Sequence, residues 1–180
     1  MKQTMHSVRI APVLVAVFLS IGLLAFGAGN VFGEEKAFTS STHGDWVLRC
    51  PKEKDPEKER PCTLTQQVKA EKATSPIVTI VFVHAGNPSA LHVILRLPLG
   101  VALPPGIGLR IDEGEVSQWR FNHCEPAGCL VTSKVSPELR KKLQAGIKAN
   151  IGFHTLGGQK VTVPASLRGI TAGFNALEKK

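Results

Sequence analysis

The chain has 180 residues, a formal net charge of +8, four cysteines and no tyrosine. Without tyrosine, and without a basic stripe alternating with aromatics, it lacks the stacking surface that single-strand nucleic-acid binders use, so nucleic acid is not an expected partner. The cations run from Lys36 to Lys180 without a block; they serve solubility, and in an exported protein they also attract anionic lipid headgroups or acidic glycans.

Residues 10–29 form an apolar run with only Lys2 and Arg9 as charges before it, and with Val31-Phe32-Gly33 and then Glu34-Glu35 after it. That order is a secretory signal over residues 1–33. The run also approaches the roughly 20 residues that span a bilayer, so an uncleaved anchor is the alternative, weakened by Pro12, Gly22, Gly27 and Gly29. In either case residues 34–180 lie on the far side of a membrane. They suffice for a single domain that buries about two thirds of its unfolded surface.

Residues 34–43 are a polar lead-in. Trp46, Leu48 and Cys50 then alternate with Val47 and Arg49, the period of a strand with Trp46 facing inward. The alternation returns after Cys62, with Leu64 and Val68 on one side and Thr63, Thr65 and Gln67 on the other, so the two segments predict a hairpin. Between them residues 51–61 carry balanced charges and three prolines, which block ladder pairing and make a solvated loop. Residues 77–83 and 91–97 read as core strands joined by the turn Gly86-Asn87-Pro88-Ser89.

Leu109 and Ile111 alternate with Arg110 and Asp112, Gly114 marks a turn, and Trp119 and Phe121 begin another short strand. Cys124 and Cys129 enclose a turn built on Pro126 and Gly128. Ser136-Pro137-Glu138 supplies an N-cap, a proline at the first helical position and an acid in the first turn, opening a short helix that ends at Gly146. Its Leu139 and Leu143 face the core, and Arg140, Lys141 and Lys142 face solvent. Ile147, Ala149, Ile151 and Phe153 predict a strand, Gly157-Gly158 a turn, and Val161 and Val163 the return. Leu167, Ile170, Phe174 and Leu177 close the chain at helical spacing. The expected fold is therefore mainly β: an antiparallel β-sandwich or open barrel with two short helices and two disulfide-stapled hairpins.

A Cys50–Cys62 bridge would close the charged loop, worth about 3 kcal/mol in the chain-entropy model, and a Cys124–Cys129 bridge about 2 kcal/mol. A four-cysteine zinc site and cross-pairing between the hairpins are the alternatives. No Gly-x-Ser-x-Gly elbow, phosphate-cradling glycine loop, His-Glu-x-x-His or Cys-x-x-Cys is present. His43, His84, His92, His123 and His154 are isolated along the chain, and only His84 and His92 end adjacent predicted strands. Asp112, Glu113 and Glu115 share a turn but lack the ligand spacing of a calcium loop. No metal or cofactor is expected. An enzyme would need His84 or His92 joined to an acid such as Asp112. Residues 97–107 are apolar yet broken by prolines, so Leu97, Leu99, Val101, Leu103 and Ile107 must lie along the core or line a contact surface for an apolar ligand or partner.

Gly44-Asp45-Trp46 running to Arg49-Cys50, Cys62 followed by Gln66, Leu97-Pro98-Leu99-Gly100 with Leu103-Pro104-Pro105-Gly106, Cys124 with Ala127-Gly128-Cys129, and Val163-Pro164-Ala165-Ser166-Leu167-Arg168-Gly169 together resemble the invasion associated locus B family. The resemblance covers nearly all of residues 34–180. It implies a small exported protein of alphaproteobacteria, in the periplasm or at the outer envelope, with a link to host-cell invasion in at least one pathogenic lineage whose member contributes to invasion of erythrocytes. No catalytic or binding residue carries over from the family. The expected function is non-enzymatic binding at the bacterial envelope, with a role in host-cell interaction or invasion. The alternative is a periplasmic envelope-maintenance factor that binds a lipid or apolar segment through residues 97–107.

Overall fold

A computed structural model describes residues 38–52, 60–70 and 74–179. The expected leader, its junction with the domain and the body of the charged loop at 53–59 lie outside the described residues.

The strands are β1 (Phe38–His43), β2 (Trp46–Pro51), β3 (Thr63–Val68), β4 (Val78–Ala85), β5 (Ala90–Leu97), β6 (Ile107–Ile111), β7 (Val116–Trp119), β8 (His123–Glu125), β9 (Gly128–Lys134), β10 (Lys148–His154) and β11 (Lys160–Ser166), with helices α1 (Pro137–Ala145) and α2 (Ile170–Glu178). They form a seven-stranded sheet in the order β1-β2-β3-β4-β5-β9-β8 and a four-stranded sheet in the order β11-β10-β6-β7. Both are antiparallel and open, so the fold is two sheets sharing one core and not a closed barrel.

Period-two patterning explains the larger sheet. In β2 Trp46, Leu48 and Cys50 are buried, and in β5 Leu91, Val93, Leu95 and Leu97 are buried while Arg96 is exposed. A β-strand that buries alternate residues must register with its neighbours to keep them on one face; Leu48 accordingly opposes Leu64, Leu64 opposes Phe82, and Phe82 opposes Val93. The smaller sheet contributes Leu109, Ile151 and Val163 to the same core. Helix α2 lies on β1, β2 and β3. Its Phe174 meets Phe82 edge to face at 4.9 Å, and Phe82 meets Trp46 at 5.4 Å, so three aromatic side chains tie helix to sheet. Ser136 caps α1 by accepting from the Leu139 amide, as its sequence anticipates.

Four local expectations are corrected. The polar lead-in expected at residues 34–43 becomes strand β1 from Phe38 onward, because its backbone supplies the ladder partner for β2, from Phe38 opposite Pro51 to His43 opposite Trp46. Arg140, expected to face solvent, is half-buried, because α2 packs beside α1 and places the Phe174 ring 5.3 Å from its guanidinium and Glu178 in an ion pair with it. Trp119 ends a strand instead of beginning one, because the tight turn after Ile111 already sets Val116 opposite Arg110 and Trp119 opposite Ile107, leaving Phe121 beyond the ladder. Ile147 is 80 % exposed although it continues the alternation of Ala149, Ile151 and Phe153. It precedes β10, and its backbone makes the contacts: the amide donates to the Asp112 carboxylate and the carbonyl accepts from Leu167.

Between the sheets remains an apolar void of about 20 Å³, bordered by Trp46, Phe82, Leu109, Trp119 and Ile151. A small-molecule site usually needs several hundred Å³. The shared core is therefore filled by the protein itself, and a contact surface has to be sought outside it.

Candidate functional site

Residues 98–106 carry the chain from the end of β5 in the larger sheet to the start of β6 in the smaller one. The prolines forbid a continuous ladder, and the segment alternates irregularly between core and water. Leu97, Val101 and Ile107 are buried, whereas Leu99 is 59 % and Leu103 44 % exposed. The apolar run thus divides: three of its side chains complete the core and two face solvent.

The exposed residues sit on a braced backbone. Val101 forms an isolated bridge with Thr155, the Ala102 amide donates to His154 O at 2.8 Å, the Leu156 amide to Gly100 O at 2.9 Å, and the Gly106 amide to Leu103 O at 3.0 Å. Gly106 has φ +66°, and a Cβ there would stand 2.2 Å from Trp119 O, so only glycine lets the loop lie this close to β7. These bonds bring a second loop, the β10–β11 turn, alongside the first. Its Leu156 is 76 % exposed, and the two loops together present Leu99, Leu103 and Leu156 on adjoining backbone. Leu156 escaped the sequence reading because a lone leucine beside Gly157-Gly158 carries no periodic signal; the only cue was an apolar residue inside a turn.

The cysteines pair as Cys50–Cys62 and Cys124–Cys129, with Cα separations of 4.2 and 3.9 Å. The first spans the neck of the charged loop. The second joins directly opposed residues of β8 and β9. This hairpin abuts the start of the apolar loop: a Cβ on Gly128 would fall 2.3 Å from Leu97 O, and Arg96 beside it is ion-paired with Glu125 at 3.1 Å.

A second constellation gathers several residues on which the family resemblance rests. Arg168 binds the Asp45 carboxylate through Nε at 3.1 Å and through a second nitrogen at 2.5 Å, and the Asp45 amide donates to Arg168 O. The buried Gln66 donates to both Asp45 O and Ser166 O. Gly44 and Gly169 face each other so closely that a Cβ on either would lie 2.3 Å from a backbone oxygen. The motifs around residues 44–46, 66 and 163–169 are therefore one clasp between the β1–β2 turn, β3 and the entrance to α2. A two-pronged guanidinium–carboxylate pair is geometrically specific, and here it positions structure.

Hydrogen bonds from Arg168 and Ser166 lower the Asp45 carboxyl from its ordinary 3.8 to about 2. A carboxyl whose folded value is depressed contributes stability in full above the unfolded value, near pH 4, and loses it as the pH falls through about 2. Asp45→Asn should lower the melting temperature at pH 7, and the gap from the unsubstituted protein should shrink towards pH 2. Melting curves across that range test it; a gap independent of pH would mean that the ion pair does not stabilise the fold.

The remaining polar candidates are engaged structurally or kept apart. His84 opposes Leu91 while His92 opposes Val83, so the two imidazoles project from opposite faces of the sheet and do not form the pair that their strand-end positions suggested. Asp112 accepts from the Ile147 and Lys148 amides, and Glu113 pairs with Arg110 at 3.6 Å. Among the described residues no group of three or more His, Cys, Asp or Glu is placed to hold a metal. A cleft of about 250 Å³ between α1 and the β6–β7 hairpin is lined by Ile111 and Leu139 together with Asp112, Glu115 and Lys142. No helix among the described residues is long and apolar enough to cross a membrane.

Fold and loops define a class: a disulfide-bonded, two-sheet β domain whose contact candidates are loops on a filled core. The sequence profile described as invasion associated locus B (IalB) protein matches residues 46–178, and the chain belongs to that family. It is 24 % identical over 166 residues to an invasion protein B homolog of Brucella abortus (strain 2308), covering 92 % of this chain and 93 % of that protein, and equally similar to a homolog from Brucella abortus biovar 1 (strain 9-941). The crystal structure of invasion associated protein b from Bartonella henselae matches the fold with a TM-score of 0.67 at 21 % identity, covering 78 % of this chain and 96 % of that one.

Proposed function

We propose that the chain is an exported, non-enzymatic interaction protein of the bacterial envelope that acts by binding and contributes to host-cell interaction. The observation that carries this reading is the set of three exposed leucines, Leu99, Leu103 and Leu156, held on two hydrogen-bonded loops. Exposing leucine to water on a braced backbone favours contact with a partner over folding. Two structural disulfides suit an oxidising compartment outside the cytoplasm. The relatives named as invasion proteins supply the setting of host contact.

The apolar character of the same leucines also favours the second reading, a periplasmic envelope-maintenance factor that holds a lipid or an apolar segment. Protease accessibility separates the two. Intact cells and cells with the outer membrane opened are treated in parallel, with an internal periplasmic control. Cleavage on intact cells is the expected result. Cleavage only after opening would transfer the function to envelope maintenance.

A further inference from the structure

We infer that the end of the molecule built by residues 98–106 and 155–159 docks on an anionic lipid bilayer, with Leu99, Leu103 and Leu156 entering the headgroup layer. The inference rests on the reading of this end as the contact surface and names what it contacts.

Three observations converge. First, the exposed leucines are contiguous through the backbone: Leu156 is hydrogen-bonded to Gly100, next to Leu99, and Ala102, next to Leu103, is hydrogen-bonded to His154. Single exposed leucines are ordinary on any surface, whereas several on adjoining loop tips form a knob that a bilayer interface accepts without needing a complementary shape. Second, cations flank the knob. Lys160, exposed, opposes His154 in the β10–β11 ladder. Arg120, also exposed, lies against the loop's end, its Cα 3.6 Å from where a Cβ on Gly106 would be.

Third, among the described residues carboxylates are kept away. Segments 97–108, 119–124 and 151–166 contain neither aspartate nor glutamate. Glu125, next to the loop's start through Gly128, is neutralised by Arg96. Asp112, Glu113 and Glu115 occupy the turn at the far end of the β6–β7 ladder, since Trp119 opposes Ile107 at the near end. Apolar tips flanked by two cations that form no ion pair among the described residues complement an anionic membrane surface, where each lysine or arginine adds about fivefold to binding. A protein partner would more often ask for a broad, shaped face; a bilayer asks only for depth and charge.

The test is co-sedimentation of the protein, as the producing cell processes it, with vesicles of phosphatidylglycerol and phosphatidylcholine in equal parts and with vesicles of phosphatidylcholine alone. Binding to the mixed vesicles and at least about fivefold less to the neutral ones is expected. The pair Leu99→Ser and Leu156→Ser should reduce binding by about tenfold or more, and Arg120→Gln with Lys160→Gln should abolish the preference for the anionic lipid. Ile147→Ser removes a leucine-sized exposed side chain elsewhere and should change nothing, which controls for general loss of hydrophobicity. All variants change exposed positions, and circular dichroism confirms their fold. Failure to bind mixed vesicles, or an equal loss in Ile147→Ser, overturns the inference. If vesicle binding fails while the protein still binds host cells, the interaction function stands and only the bilayer is excluded.

Discussion

Gly44→Ala should lower the unfolding free energy by about 2 to 6 kcal/mol, the sum of about 1 to 3 for a non-glycine residue in the left-handed region and about 1 to 3 for overpacking. Gly44 has φ +59°, and its new methyl would sit 2.3 Å from Arg168 O, inside a backbone that Asp45 and Arg168 hold in place. Neither side of the contact can retreat cheaply, since Gly169 opposite is equally confined by His43 O. Gly158→Ala is the comparison: φ is +80° but no atom stands within 4 Å, so only the conformational part remains. Urea unfolding of both variants measures the difference. Equal losses would mean that the clasp yields and that the close approach of the two glycines is not required.

Cys50→Ser is expected to destabilise by about 2 to 5 kcal/mol, the usual effect of losing a native bridge in a small secreted domain. The Cys50–Cys62 bridge closes a longer loop than Cys124–Cys129, with a sequence separation of 12 against 5. Loop-closure entropy rises with length, so Cys50→Ser should cost more than Cys124→Ser. Cys50 is also buried beside Leu48 in the core, so serine would bring a hydroxyl into apolar surroundings. Thermal unfolding of both variants, each with its partner cysteine also changed to serine to avoid a free thiol, decides the order. A melting temperature untouched by Cys50→Ser would show that the bridge does not constrain the chain.

Within the candidate site, the sequence located one of the two loops. Residues 97–107 stood out because prolines interrupt an apolar run, which is a local signal. Which leucines would be exposed was not local: Leu97, Val101 and Ile107 turn inward because β5 and β6 deliver them to the core, and Leu99 and Leu103 are left outside. Leu156 joined them through hydrogen bonds to a loop over fifty residues earlier in the chain. The clasp shows the same limit. Asp45, Gln66 and Arg168 were all visible as parts of motifs, yet nothing in their spacing says that Asp45 meets a guanidinium 123 residues away.

The sequence by itself determined the β character, the strand faces in β2, β3, β5 and β11, the capped start of α1 and the apolar stripe of α2. These follow from side-chain period and capping chemistry, both of which act over a few neighbouring residues. Only the tertiary structure decided the split into seven and four strands, the separation of His84 from His92, the exposure of Ile147 and the meeting of two loops around three leucines. Those depend on which distant strands pair and in what register, and a shift of one residue in register moves every side chain to the opposite face.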